Sequence, residues 1–236
     1  MSNSLKYKIT HNDASCHQIV VNLDASDNIH IDKDFTAPDW AKLDHHQCSH
    51  CTLESSQHPY CPIARNLAFL FAGASFGDSF EEVRLEVETG QRQYSAKTTI
   101  QRALSSLFGL ICSLSPCPYT IPLKPMGLFH LPLANDSETL VRAASFFLLK
   151  RYLEHLRDPA LPVNLDNMED TYSNLKELNK CFVKRFREID ESDATVNALI
   201  LLDVLAKDVD YELEEQLGLL NRFFGLPETN DGFIVS

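Results

Sequence analysis

The sequence predicts an α+β protein in which a small N-terminal antiparallel sheet packs against a mostly helical body. In the first hundred of the 236 residues, several segments alternate apolar and polar side chains, which is typical of half-buried strands. After residue 97 the apolar residues recur every three or four positions, which is typical of amphipathic helices. We therefore expect a sheet segment at 1–97, a helical body at 98–226 and a tail at 227–236, and the three can equally form one integrated domain.

Four strands account for the predicted sheet. Residues 5–9 and 19–23 flank a polar turn, so they are expected to pair as a hairpin. Residues 82–88 alternate most regularly, with apolar side chains on one face and charged ones on the other. A turn at Gly90 then brings residues 91–96 back beside them. The sheet should therefore have one buried face and one solvent-exposed face.

Local signals predict where the first helices begin and end. Pro62 suits the first position of a helix that starts at the preceding cysteine and interrupts the strands. Thr98 with Gln101 fits a capping box for a second helix, which Pro116 ends. Because four more prolines follow, the stretch 113–132 is predicted to be an extended loop.

The C-terminal half is predicted to be helical throughout. Asn135 and Glu138 fit a capping pair for a helix to about residue 156, and its wide apolar arc predicts a central position in the fold. Further helices are predicted from apolar spacing, from a cap at Asp193 and from acids in a first turn; they cover 168–189, 193–205 and 212–224.

Four cysteines form the most informative group of residues. Cys48 and Cys51 lie in a C-x-x-C turn, where two thiolates can share one metal ion. Cys61 lies at a predicted helix N-terminus, where the helix dipole favours a thiolate, and Cys117 lies on a loop stiffened by proline. Because nothing in the sequence predicts secretion, a metal explains these cysteines better than disulfides do. We therefore expect all four to bind one metal centre.

Two kinds of metal centre suit four cysteines. Zn2+ has the higher base rate for such spacing, and we favour it. A [4Fe-4S] cluster is the alternative, because cysteine followed by proline is common in cluster-binding sequences and occurs here at Cys61 and Cys117. The spacing matches no ferredoxin run, so the residues leave the choice between zinc and iron–sulfur open.

The identity of the fourth ligand also stays open. Cys112 lies only five residues before Cys117 and competes with it, although its place in an apolar helix turn equally suits a small buried side chain. His46 precedes Cys48 by two residues and would complete a Cys3His site, and His50 lies within the C-x-x-C. Histidines in loops are more often solvated than ligating. Two cysteines are predicted not to be ligands: Cys16 and Cys181.

A second motif lies at 124–132, where prolines bracket the pair Phe129-His130. One interpretation is a preorganised strip that lines a pocket near the metal, with His130 as a donor of a hydrogen bond to a metal ligand or as an acid/base group. The simpler interpretation is a buried histidine whose nitrogens are satisfied by backbone carbonyls, and this arrangement is the more frequent one.

The stretch 46–133 resembles an uncharacterised bacterial family, a domain of unknown function, and the likeness extends more weakly through the C-terminal helices. The shared features are the C-x-x-C, Cys61-Pro62 before an apolar helix, Cys117-Pro118, and Pro-Met-x-x-Phe-His-Leu-Pro at 125–132. This chain has Ser49-His50 within the C-x-x-C, where the family has Pro-Asn, which makes the loop less rigid and leaves the cysteines in place. The resemblance implies that Cys117 belongs with the other three cysteines, and it implies no activity.

Charge and hydropathy limit the classes of partner. The net charge of −12 disfavours binding to nucleic acid or to anionic membranes, because both prefer a basic surface. No apolar run approaches the ~20 residues that span a bilayer, and residues 1–10 lack the apolar core of a signal peptide. We therefore expect a cytoplasmic protein without nucleic-acid or membrane partners. A protein partner fits this composition, and the oligomeric state is left open.

The sequence favours a non-catalytic metal-binding protein. Its four-cysteine centre is expected to be structural or redox-sensing, with a regulatory or interaction role. The alternative is an enzyme or redox protein that uses a [4Fe-4S] cluster, or a metal or thiol site with His130. The chain contains no glycine-rich phosphate loop, no G-x-S-x-G and no H-E-x-x-H, which are frequent signals of an enzyme.

Overall fold

The structure is a computed structural model, and it describes residues 4–72, 74, 76–189, 218 and 220–227. The fold is α+β, as predicted, with the antiparallel strands in the N-terminal part. In chain order the elements are β1 (Ser4–Thr10), β2 (Cys16–Asn22), α1 (Pro62–Leu70), β3 (Glu82–Thr89), β4 (Arg92–Thr99), α2 (Ile100–Ser113), α3 (Lys124–Leu128), α4 (Asp136–His155) and α5 (Met168–Ile189). Short 3-10 helices lie at Asp39–Ala41, Ile121–Leu123 and Asn221–Phe224.

The sheet has the strand order β2-β1-β3-β4, and every neighbouring pair is antiparallel. Tyr7 of β1 pairs with Ile19 of β2 on one side and with Val87 of β3 on the other, and all three side chains are buried. On the outer face, the ammonium of Lys8 in β1 lies 3.2 Å from the carboxylate of Glu86 in β3. The predicted alternation between a buried and a solvent-exposed face is therefore confirmed.

The helix α2 lies in the core, and it carries ten of its fourteen residues buried. The buried residues of the sheet, α1, α2 and α5 form one continuous apolar cluster, in which Leu104 and Phe108 of α2 have no exposed surface. Leu178 and Phe182 bring α5 into this cluster. The apolar core therefore joins residues on both sides of position 97, and the predicted division of the chain there stays a prediction.

The predicted extended loop at 113–132 is wrong between residues 121 and 128, where the chain forms a 3-10 helix and then α3. Pro122 and Pro125 lie in the first turns of these two helices, where a proline needs no hydrogen-bond partner and has the correct φ. Gly127 allows α3 to approach the end of α2, because a Cβ there would lie 2.3 Å from Ser113 Oγ and 2.7 Å from Leu114 Cγ.

The capping predictions for α2 and α4 had different outcomes. Asn135 and Glu138 form the predicted capping box of α4, with both hydrogen bonds at 2.9 Å. The predicted box at Thr98 is absent, because β4 continues to Thr99, which precedes α2 without a side-chain cap. The predicted central position of α4 is also wrong. Its described buried residues are Leu140, Ala143 and Ala144, and larger apolar side chains in its second half are exposed.

The C-terminal predictions fall largely beyond the described residues. The helices predicted at 193–205 and over most of 212–224, and the tail after Pro227, lie outside them. Within the described part, Asn221–Phe224 forms a 3-10 helix that ends at Gly225, whose φ of 68° is in the left-handed region. This agrees with the predicted helix end at that glycine.

Candidate metal centre

The C-x-x-C lies on a loop that closes on itself. At its base the Cys61 amide donates to the Ala41 carbonyl at 2.9 Å, and the Leu43 amide donates to the Pro59 carbonyl at 3.0 Å. Within the loop, the Cys51 amide donates to the Cys48 carbonyl at 2.9 Å, which makes the tight turn expected of a C-x-x-C. These hydrogen bonds hold the first three predicted cysteines in one closed loop although twelve residues separate Cys48 from Cys61.

Cys61 and Cys117 each lie where backbone amides face the sulfur. Cys61 immediately precedes α1, and the amides of the first turn of that helix lie near its sulfur, without forming a cap hydrogen bond of normal geometry. The amides of Tyr119 and Thr120 similarly favour the thiolate of Cys117. Burial outweighs these effects and raises the pKa of both thiols. A deprotonated sulfur at either position therefore requires a cation beside it.

The four predicted cysteines line one cavity of about 20 Å3. The other described residues around it are mostly apolar: Leu43, Leu53, Pro62, Ile63, Leu178 and Phe182, together with Gln47, Tyr119 and Arg185. Within the described ranges, no group of three or more histidine, cysteine, aspartate or glutamate side chains has an arrangement that could already hold a metal ion. Convergence of all four sulfurs on one metal therefore stays a prediction.

Arg185 of α5 is the cation beside these cysteines, and it is only 2 % exposed. Its guanidinium donates to the carbonyls of Trp40 and Lys42, the latter at 2.8 Å, and to the Leu43 carbonyl at 3.4 Å. The Nε atom is buried, and no acceptor for it lies in the described part of the chain. Arg185 also interacts electrostatically with Cys61 and other cysteines, which oppose the lowering of its pKa by burial. A thiolate centre would supply both the missing acceptor and the missing counter-charge.

Arg185 was not identified from the sequence. It lies in the predicted 168–189 helix between Phe182 and Phe186, on the face that carries the apolar residues. An arginine within an apolar stripe was the available signal, because buried arginines are rare unless they are paired.

Cys181 lies closer to the candidate centre than the sequence suggested. It is one helical turn before Arg185, its thiol is within hydrogen-bond reach of Cys48, and its sulfur lies 3.9 Å from Glu177 Oε1. Burial, followed by the neighbouring Cys181, raises the pKa of the Cys48 thiol. Cys181 is not among the residues that line the small cavity, so its exclusion as a ligand stays a prediction. Cys16 is exposed on β2.

The competing ligands have different surroundings. Cys112 is buried near Cys117 and Cys61, and it lines a second, larger cavity instead of the cysteine cavity. His50 packs its ring 4.1 Å from the Tyr119 ring, and the Tyr119 hydroxyl donates to the His50 carbonyl. Both ring nitrogens of His50 are buried without a hydrogen-bond partner among the described residues. His50 therefore remains an alternative fourth ligand. His46 lies at a left-handed φ of 46° in the same loop.

His130 is not part of the cysteine site. Its Nε2 atom forms a hydrogen bond with the Tyr7 hydroxyl, which also lies 3.1 Å from Ser106 Oγ. Burial lowers the pKa of His130 to about 3, so the imidazole is neutral. The sequence predicted a histidine whose nitrogens bond backbone carbonyls. This is wrong for Nε2, whose hydrogen-bond partner is the Tyr7 hydroxyl. His130 lines the larger cavity.

Comparison with known proteins gives a family and no activity. A family model described as "Domain of unknown function (DUF6901)" matches residues 5–225. No curated protein and no solved structure matches the chain. In the part of the chain that the structure describes, no helix has the length and apolar character needed to cross a membrane.

Proposed function

Because the chain belongs to this domain-of-unknown-function family, we propose its role from the site alone: it is a metal-binding protein whose centre is held by Cys48, Cys51, Cys61 and Cys117. The centre is structural or redox-sensing, and the protein has a regulatory or interaction role. The observation that carries this proposal is Arg185, a buried cation beside four cysteines that line one cavity. When bound, a zinc ion supplies a fixed point that holds the four thiolates together.

Charge balance supports an anionic centre next to Arg185. Four thiolates around Zn2+ carry a net charge of about −2, and one guanidinium offsets half of it. Without such a centre, the protein would bury an arginine whose only described acceptors are three backbone carbonyls and would leave its Nε unpaired. An unpaired buried donor costs about 1–3 kcal/mol, so an acceptor at this position is favoured.

The size of the cavity supports zinc over a cluster. A volume of about 20 Å3 is sufficient for one water-sized species. A [4Fe-4S] cluster contains eight atoms, so the loop and the start of α1 would have to move apart to admit it. Thiolates are suitable ligands for both, which leaves size as the distinguishing property.

The position of the cysteines in the fold supports a structural role that can be regulated. Cys61 and Cys117 are fixed at the start of α1 and after α2, whereas Cys48 and Cys51 lie on the loop between residues 41 and 61. That loop reaches α5 through a hydrogen bond of 3.0 Å from Ser49 Oγ to Glu177. Metal loss or oxidation of the thiolates would free Cys48 and Cys51 from Cys61 and Cys117 and so loosen the loop, which is the kind of change that a redox sensor uses.

A cytoplasmic location is part of the proposal, because all seven cysteines are free thiols and a reducing compartment preserves them. The proposed partner is a protein and not a nucleic acid, because a net charge of −12 repels the phosphate backbone.

The test is the metal content of protein purified without oxygen. We expect a colourless solution with about one zinc per chain. Cys48→Ser/Cys51→Ser should lose the metal, and Cys16→Ser, which removes an exposed thiol, is the matched control. A brown solution with broad visible absorption would replace zinc by iron–sulfur, and wild-type protein that binds neither would contradict the proposal.

The enzyme alternative receives less support from the geometry. His130 lines a different cavity from the cysteines, and burial keeps its imidazole neutral near neutral pH. An enzyme that combines His130 with the metal would need both in one pocket.

A further inference from the structure

A cavity of about 600 Å3 lies between α2, the segment 123–134, α4 and α5, and the proposed metal centre does not use it. Its volume is within the ~300–1,000 Å3 that is typical of small-molecule sites. The apolar side chains that line it include Met126, Leu131, Leu133, Leu175 and Leu178. A cavity of this size and composition suits a ligand with an apolar body.

Arg142 of α4 provides a fixed positive charge in the wall. Its Nη2 atom donates to the carbonyls of Phe129 at 2.6 Å and Met126 at 3.2 Å, which hold the guanidinium in place. A guanidinium has five N–H donors, so other donors are left to bind a ligand. Burial lowers the pKa of Arg142, and the nearby Tyr94, Glu138 and Tyr172 partly oppose this shift. Among the described residues, no carboxylate lies close enough to Arg142 to form an ion pair. Glu138, which is near, accepts the Asn135 amide at 2.9 Å in the capping box of α4.

Two uncharged donors accompany this arginine. Tyr172 of α5 lines the cavity and is nearly fully buried, and burial raises the pKa of its hydroxyl, which therefore stays protonated. Its electrostatic interaction with Arg142 indicates that the two groups are neighbours. Asn179, about two helical turns after Tyr172 on the same face of α5, is buried and also lines the cavity. A negatively charged group beside Arg142 would thus find a second donor in Tyr172.

The charges around the cavity favour a ligand with a single negative charge. The described charged residues of the wall are Arg102, Asp136 and Arg142, and they sum to +1, because His130 is neutral. A phosphate monoester carries about −1.5 to −2 charges at pH 7 and is less well matched. A carboxylate carries one charge, and its two oxygens match the planar donors of a guanidinium.

We propose that this cavity binds an amphipathic monocarboxylate, with the carboxylate on Arg142 and Tyr172 and the hydrocarbon body along Leu175 and Leu178. The cavity is a separate site from the proposed metal centre, because none of the four predicted metal ligands lines it.

The test uses the full chain and isothermal titration with decanoate, and 1-decanol and decylamine serve as ligands with the same body and different head groups. We expect decanoate to bind at least about tenfold more tightly than decylamine. Arg142→Gln should weaken decanoate binding by about tenfold and leave 1-decanol binding unchanged, and Tyr172→Phe should weaken it by a few-fold. Arg157→Gln, which changes an exposed arginine outside the cavity, is the matched control.

Three results would overturn the proposal. These are no binding of decanoate, equal affinity for decanoate and decylamine, or unchanged decanoate affinity in Arg142→Gln. If Arg142→Gln lowers the affinity for decanoate and 1-decanol together, the cavity has collapsed and Tyr172→Phe decides. Selective loss of decanoate binding in that variant supports the proposal, and equal retention of both ligands contradicts it.

Discussion

The small cysteine cavity and the large cavity both contact α5, and each has an arginine held by backbone carbonyls, yet their chemistry differs. Arg185 lies beside cysteines in a space of about 20 Å3, whereas Arg142 lies beside apolar side chains in a space of about 600 Å3. In the first case the protein itself can provide the negative charge, as thiolates around a metal. In the second case Glu138 lies near the guanidinium without forming an ion pair with it, and we propose that a ligand supplies the carboxylate that binds it.

On the two proposals, an arginine held by carbonyls has different uses according to its neighbours. If a metal replaces the protons of the thiols next to Arg185, the cation there stabilises a permanent part of the protein. The cavity beside Arg142 is large enough to exchange its contents, so the cation there would select which ligand enters. The following predictions separate these two roles, from the largest expected effect to the smallest.

Removal of two thiolates should abolish the small site. We expect Cys48→Ser/Cys51→Ser to lose its metal and to become sensitive to protease mainly between residues 40 and 65, because none of the residues 44–60 within that range is buried. Most of the helical circular dichroism should remain, since α2 and α5 bury their own apolar faces at ~25 cal/mol per Å2. Limited proteolysis with mass spectrometry measures this. Unfolding throughout the chain would mean that the metal is integral to the whole core.

Loss of the buried cation should weaken both stability and metal retention. Arg185→Met leaves three carbonyls without their donor and the thiolate centre without its counter-charge, so we expect a loss of about 3 kcal/mol in the free energy of unfolding. Zinc should also be removed faster by a chelator. Arg187→Met, two residues further along α5 and exposed, is the control. Equal chelation rates in the two variants would disprove a role for Arg185 at the metal.

The histidine of the large cavity should make stability depend on pH. The pKa of His130 is about 3 in the folded protein and about 6.5 when unfolded, so between these values only the unfolded chain binds the proton. Stability is therefore lost as the pH falls below about 6.5, by about 1 kcal/mol between pH 7 and pH 5.5. The polar neighbours of the ring are Tyr7 and Arg142, of which only the arginine is charged.

His130→Gln tests this pH dependence, because glutamine can keep a hydrogen bond to Tyr7 and does not titrate. Denaturant unfolding at a series of pH values should give a shallower decline for the variant than for the wild type. Burial also lowers the pKa of His17, but this contribution is common to both proteins and cancels in the difference. If stability declined with pH equally in the variant and the wild type, His130 would have the same protonation in the folded and unfolded chains.

The smallest expected effect concerns the two cysteines outside the predicted ligand set. Cys16→Ser/Cys181→Ser should leave the zinc content unchanged, which metal analysis of the purified variant measures directly. Because Cys181 lies within hydrogen-bond reach of Cys48, the two single variants should be measured as well. Zinc loss in Cys181→Ser alone would indicate that Cys181 is a ligand. One of the four predicted cysteines would then not bind the metal.

Local patterns predicted the parts of the fold that depend on neighbouring residues. The alternation at 82–88, the Asn135–Glu138 pair and Pro62 after Cys61 all report backbone states that a few residues determine, and the structure agrees with each. The prolines at 122 and 125 misled the prediction, because the same residue suits both an extended chain and a first helical turn. The wide apolar arc of α4 predicted burial, which depends on what packs against it and not on α4 itself.

The candidate site divides in the same way. The spacing of Cys48, Cys51 and Cys61 could be read directly, and the resemblance added Cys117 to them. The apolar stripe signalled that Arg185 is buried, but the place of Arg185 and Cys181 beside the loop could not be predicted, because the sequence does not state which face of a distant helix meets the loop. The large cavity was beyond prediction for a similar reason, since four separate segments enclose it.

Leu178 lines both cavities, so one side chain of α5 is shared between two sites for which we propose unlike ligands. Thermodynamic linkage requires reciprocity between such sites: if metal binding changes the affinity for a carboxylate by some factor, the carboxylate changes the affinity for metal by the same factor. A shift of α5 small enough to preserve the core would be sufficient to make that factor differ from one. Through this shared side chain, the fraction of one site that is occupied would then depend on the concentration of the ligand of the other site.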